Sequence, residues 1–137
     1  MLNRKIDSYL KEYYQKSSNA LLITGARQVG KTYSIREFGK TFKSFIEINF
    51  IENPDVVGLF KDAKGSADIL MRLSTITNVP MIKGDTLIFF DEVQECPDIV
   101  TAIKFLVDEG SYRYILSGSL LGVELKDIRS IPVGYMG

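Results

Sequence analysis

Unbroken apolar runs in this chain alternate with stretches where apolar residues recur every third or fourth position. That rhythm predicts strands buried on both faces, separated by amphipathic helices. Leu2, Ile6, Tyr9, Leu10 and Tyr13 keep helical spacing, with Arg4, Lys5, Lys11 and Glu12 between them, so a helix over 2–16 is expected to pack on the domain. A basic membrane-surface helix is the competing reading, but Asp7 and Glu12 interrupt its charged face. Leu21 to Thr24 is a first strand, and Lys31 to Lys40 brings Ile35 and Phe38 to one helical face. Ser44 to Phe50 alternates apolar and polar residues and reads as a second strand, with Glu47 and Asn49 turned away from the apolar side.

Asn53-Pro54 starts a short helix with proline at its first position, and Val56, Val57, Leu59 and Phe60 form its core face. A further helix over Ala67 to Thr77 is expected to bury Ile69, Leu70, Leu73 and Ile76. Thr86-Leu87-Ile88-Phe89-Phe90 has no alternation at all, which marks a strand in the middle of a parallel sheet. After Cys96-Pro97, Asp98 is placed to cap a helix whose buried stripe is Ile99, Ala102, Ile103, Leu106 and Val107, and Gly110 ends it. Tyr112 to Ser117 is another strand. Beyond it, Leu120 onward holds a short helix, and 131–137 leads toward one more strand.

The glycines change the picture. Gly25-Ala26-Arg27-Gln28-Val29-Gly30-Lys31-Thr32 fills the pattern G-x-x-x-x-G-K-[ST] between the first strand and its helix. Average composition produces that pattern by chance on the order of once in a few hundred chains of this length. Backbone N–H groups of such a loop curl around phosphate oxygens at the positive end of the helix. Gly25 through Thr32 and the adjacent Tyr33 are therefore the candidate nucleotide-binding residues, with Lys31 reaching the β- and γ-phosphates and Thr32 joining the shell of a Mg²⁺ ion. A structural glycine turn is the alternative.

Asp91 and Glu92 stand where the fully apolar strand ends, the edge at which open α/β sheets bind ligands. Alone they would read as a solvated strand end. With the glycine motif upstream, and Asp91 60 positions after Lys31, room for an intervening strand, Asp91 is a candidate Mg²⁺ ligand and Glu92 a candidate activator of water. Ser117 or Ser119 could touch the γ-phosphate or that water as a sensor of nucleotide state, a turn-forming role being the alternative for each.

Composition narrows the chemistry further. The 137 residues carry 17 basic and 17 acidic side chains, so no global field favours nucleic acid. There is no histidine to serve as general base or metal ligand. The single cysteine, Cys96, cannot close an internal disulfide, which fits the cytoplasm. No apolar run approaches the roughly 18 residues of a membrane span, and the charged N-terminus does not resemble a signal peptide.

Three segments together, 25–32, Phe89-Phe90-Asp91-Glu92-Val93-Gln94-Glu95-Cys96-Pro97 and Ser117-Gly118-Ser119-Leu120-Leu121-Gly122, resemble a bacterial and archaeal family of AAA-type ATPases whose members continue into a C-terminal domain of unknown function. The likeness extends to Arg129-Ser130-Ile131-Pro132-Val133-Gly134-Tyr135. It implies a three-layer α/β fold with a parallel sheet in the order 5-1-4-3-2, a single ATPase core over 1–137, and ATP with Mg²⁺ as ligands. It also implies catalytic roles for Lys31 and Glu92, metal contact by Thr32 and Asp91, a sensor at Ser117 or Ser119, and an arginine at Arg129 reaching a neighbouring subunit. Compared with the family pattern, the chain is expected to end before or within the fifth strand, leaving out the lid and the C-terminal domain. Without that strand, residues 20–24 would form an open apolar edge, from which self-association is expected.

The expected activity is Mg²⁺-dependent ATP hydrolysis that passes nucleotide state to an attached domain. The alternatives are a nucleotide-binding module with little hydrolysis and, within enzymes, a kinase of the same loop type. Glu92 directly after Asp91 favours water over another acceptor, and no N-K-x-D or T-K-x-D sequence supports guanine recognition.

Overall fold

The computed structural model describes residues 20–24, 29–118 and 129–132, with side chains for 20–23 and 32–118. The expected helix over 2–16, Gly25, Ala26, Arg27, Gln28 and Ser119 lie outside the described residues. Five strands form one parallel sheet: β1 (Leu21–Thr24), β2 (Ser44–Asn49), β3 (Thr86–Asp91), β4 (Arg113–Ser117) and β5 (Arg129–Pro132). Their spatial order is β2-β3-β4-β1-β5, the expected 5-1-4-3-2 order seen from the other edge.

The helices fall on two sides because parallel neighbours need crossovers that cover both faces. Helix α1 (Val29–Gly39) lies on one face, where Ile35 and Phe38 join Leu21, Ile23, Leu87, Phe89 and Ile115 in a single cluster. The opposite face, Leu22, Ile46, Ile48, Ile88, Phe90, Tyr114 and Leu116, is covered by α2 (Pro54–Leu59), α3 (Ser66–Ser74) and α4 (Pro97–Glu109). Its core holds a row of aromatic rings, Phe50 stacked on Phe90 at 5.8 Å and Phe90 on Tyr114 at 6.4 Å. Every residue of β3 is buried, as its unbroken apolar run requires.

Several expectations need correction. The fifth strand forms, and Leu21, Leu22, Ile23 and Thr24 pair with Arg129, Ser130, Ile131 and Pro132. Strand β1 is therefore interior, and the open edge from which self-association was expected does not exist. Pro132 is compatible with β5 because an edge strand can spare one N–H. Arg129 opens that strand, at the amino edge of the sheet.

As expected, Glu47 and Asn49 turn away from the Ile46–Ile48 face of the second strand. Glu47 lies on the α1 face, where Arg36 grips it with two hydrogen bonds of 2.7 and 2.8 Å, and Asn49 is buried. Asp98 makes no cap: Cys96 holds the cap position of α4 with no side-chain hydrogen bond, and Pro97 at the next position removes one of the N–H groups that a cap would serve. Ile76 is 39% exposed and lies beyond the end of α3. In α2 no residue is fully buried, and the anchor of that segment is Phe60, just past its end.

Candidate functional site

The register of the strands brings the chemistry to one edge. Ile23 pairs with Ser117, Asn49 pairs with Asp91, and continuing the Phe90–Leu116 pairing sets Asp91 level with Ser117. Residues in register on parallel strands share a face. Asn49, Asp91, Ser117 and Ile23 thus form one row across the carboxyl edge, on the face that α1 covers. Helix α1 itself begins inside the glycine motif, so Gly30, Lys31 and Thr32 occupy its first turn. A strand end, the helix N-terminus that follows it and a carboxylate two strands away thus share the carboxyl edge, where open α/β sheets bind ligands.

Asp91 is only 6% exposed, so its charge needs built-in partners. Its Oδ1 accepts the Glu92 N–H at 2.9 Å, and its Oδ2 accepts Asn49 Nδ2 at 3.3 Å. These two anchors fix the plane of the carboxylate, while each oxygen can serve more than one partner. Asn49 is fixed in turn by accepting the Ile51 and Glu52 N–H groups on its Oδ1, at 2.9 and 3.0 Å. Sequence reasoning missed Asn49, because alternation along one strand does not reveal what covers its polar side. A carboxamide at a strand end next to the Asp91 strand was the available signal.

Glu92 adopts a left-handed backbone (φ 55°, ψ 47°), uncommon for a residue with a side chain. The turn is held by Asp91 on its N–H and by a 3₁₀ turn, Val93–Glu95, whose Val93 is fully buried. The Glu92 Oε1 accepts Gln94 Nε2 at 3.2 Å. Gln94 and Gly118 were not singled out from the sequence as site residues, yet both stand at this edge.

Ser117 ends β4 fully buried, and its Oγ has no hydrogen-bond partner among the described residues; the same holds for Ser34 in α1. Buried hydroxyls without partners are costly, by about 1–3 kcal/mol in proteins, and Ser44, at the start of β2, is in the same state among the described residues. Thr32 is partly buried in the first turn of α1, and Tyr33 is 43% exposed.

The donor set suits a hard cation brought in with phosphates. Among the described residues no cluster of three or more Asp, Glu or Cys side chains could hold a metal alone. Mg²⁺ is usually held by one or two carboxylates together with substrate phosphates and waters, which matches one oriented Asp91 and one partly buried Thr32 hydroxyl. No described helix is long and apolar enough to cross a membrane.

Comparison with known proteins agrees with the fold. A family model described as an AAA domain matches residues 17–137. Among solved structures, C. elegans PCH-2 is similar with a TM-score of 0.50 at 12% identity, over 94% of this chain and 39% of that chain. No curated protein sequence matches. At that identity the PCH-2 likeness speaks to the fold alone, while the family model covers most of the chain. The chain belongs to the AAA domain family, nucleotide-binding domains of the ATPase type.

Proposed function

We propose that this chain binds ATP with Mg²⁺ at the carboxyl edge of β1, β4 and β3 and hydrolyses it. The observation that carries this reading is the buried, doubly anchored Asp91, level with Ser117 and on the face of the helix that starts within the glycine motif. In this reading 25–32 cradle the phosphates, Lys31 offsets charge on the β- and γ-phosphates, and Thr32 and Asp91 hold the ion. When bound, that ion supplies charge neutralisation for the transferred phosphoryl group. Glu92 accepts a proton from the attacking water, and Ser117 presents its hydroxyl to the γ-phosphate or that water. Ser119 keeps its place as a second sensor candidate, and Arg129 as an arginine directed to another subunit's site.

The chain spans 39% of the PCH-2 chain; the coupling of nucleotide state to an attached domain is proposed from the resemblance of 25–32, 89–97 and 117–122 to the ATPase family. Most of the work is positioning and charge stabilisation, so single losses should be large. The test measures ATP turnover and the ATP-induced melting shift for the parent, Lys31→Ala and Glu92→Gln, with Mg-GTP as control. Glu92→Gln should keep the shift and lose about a hundredfold or more in turnover, and Lys31→Ala should lose both. Parent-like turnover in both variants would sink the assignment. An ATP shift without turnover in the parent would instead identify a binding module.

A further inference from the structure

We propose that Gln94 is the positioning residue that aims the Glu92 carboxylate, and that Gly118 at the end of β4 is its seat. This rests on the role given to Glu92 above. Gln94 donates from Nε2 to Glu92 Oε1 at 3.2 Å, the contact that restrains a side chain whose backbone is already fixed by Asp91. Its other end lies against Gly118. A Cβ on Gly118 would overlap Gln94 Oε1 and come within 3.1 Å of Val93 N, so the carboxamide fits there only because that residue has no side chain. Gly118 also has φ +150°, a conformation that residues with a Cβ rarely adopt.

The base of the arrangement is rigid. The turn carrying Gln94 is closed by Glu95 N to Glu92 O at 3.1 Å and Cys96 N to Val93 O at 2.9 Å, with Val93 and Cys96 fully buried. The other side is anchored as well, since Gly118 N donates to Ile23 O at 3.4 Å, tying the turn after β4 to the strand that leads into the glycine motif. Gln94 therefore spans from Glu92 to the backbone between Ser117 and the phosphate end of β1. A shift of the turn after β4 reaches the Glu92 carboxylate through this one side chain, while nucleotide binding does not depend on it.

The consequence is a split between turnover and affinity. Gln94→Ala should lower kcat about tenfold or more, the scale of a hydrogen bond to a charged group, and leave the Kd for Mg-ATP within about twofold. Gln94→Glu keeps the shape but replaces the donor with a like charge facing Glu92, so it should lower kcat at least as far. Gly118→Ala displaces the carboxamide and should reproduce the loss. In a Glu92→Gln background, Gln94→Ala should change the residual rate no further, because both act through one group. The measurement is single-turnover hydrolysis with ATP affinity determined in parallel. If Glu92→Gln abolishes turnover while Gln94→Ala and Gln94→Glu retain it, the proposal falls and the role of Glu92 stands. If Glu92→Gln retains turnover, or the parent has none, both fall.

Discussion

Replacing Asn49 with aspartate separates two jobs that its carboxamide performs. The Oδ1 accepts two backbone N–H groups of the following turn, and Nδ2 donates to Asp91. Asn49→Ala loses both, yet Ile51 is 50% exposed, so water can replace the turn acceptor; the unreplaced loss is the bond to a buried carboxylate, about 2 kcal/mol. Asn49→Asp keeps the turn bonds and sets a second carboxylate against the first. At about 4 Å and an effective dielectric near 20, that repulsion is about 4 kcal/mol. The pair relaxes when one carboxylate takes up a proton in the folded state, which then binds more protons than the unfolded chain. Stability of Asn49→Asp should therefore rise as pH falls from 8 toward about 5, unlike that of Asn49→Ala. Urea unfolding reads this directly: with a slope of about 2 kcal/mol per M, the midpoint of Asn49→Asp should sit about 2 M below the parent at pH 8 and recover toward acid. Equal midpoints for parent and Asn49→Asp at both pH values would refute the claim that Asn49 orients Asp91.

Ser117→Ala should keep or raise the stability of the nucleotide-free chain by up to about 1 kcal/mol, since it removes a buried hydroxyl with no described partner, and should lower ATP turnover; a loss of stability in urea unfolding would show that the hydroxyl is satisfied in the free chain. Burial pushes the Cys96 thiol above its ordinary range and leaves it fully covered, so its alkylation at neutral pH should follow unfolding and be blocked under native conditions. Rapid labelling of the folded chain, read by mass spectrometry, would contradict that placement.

What could be read from the sequence depended on whether the signal was local. The stripe Ile99, Ala102, Ile103, Leu106, Val107 is buried as its period predicts, because thirteen residues of helix average over any single exception. The run Leu87 to Phe90 declares a central strand because only burial on both faces tolerates four large apolar residues together. The misses share a non-local cause. Asn49 is buried and bonded to a strand 42 residues later, which does not show in the alternation of its own strand. Strand β5 is four residues long and ends in a proline, so its existence depends on β1 as a template rather than on its own pattern. Gln94 and Gly118 meet across two strand ends, a contact no spacing rule anticipates.

The division of labour between the two sheet faces explains why the site lies where it does. The face under α2, α3 and α4 is apolar to its end, with Phe90 and Leu116 as the last residues of their rows. The α1 face turns polar at its carboxyl edge: Leu87, Phe89 and then Asp91 on β3, Ile115 and then Ser117 on β4. The apolar rows on which α1 packs thus give way to an acceptor and a hydroxyl at the carboxyl edge. Holding these groups on strands fixes them to the precision of the sheet, while the residues that follow, Glu92 and Gly118, adopt backbone conformations that leave the ladder. The turns after β3 and β4 are the two parts of this edge that leave the regular sheet. Those two turns touch through Gln94, so whatever moves one must be felt by the other.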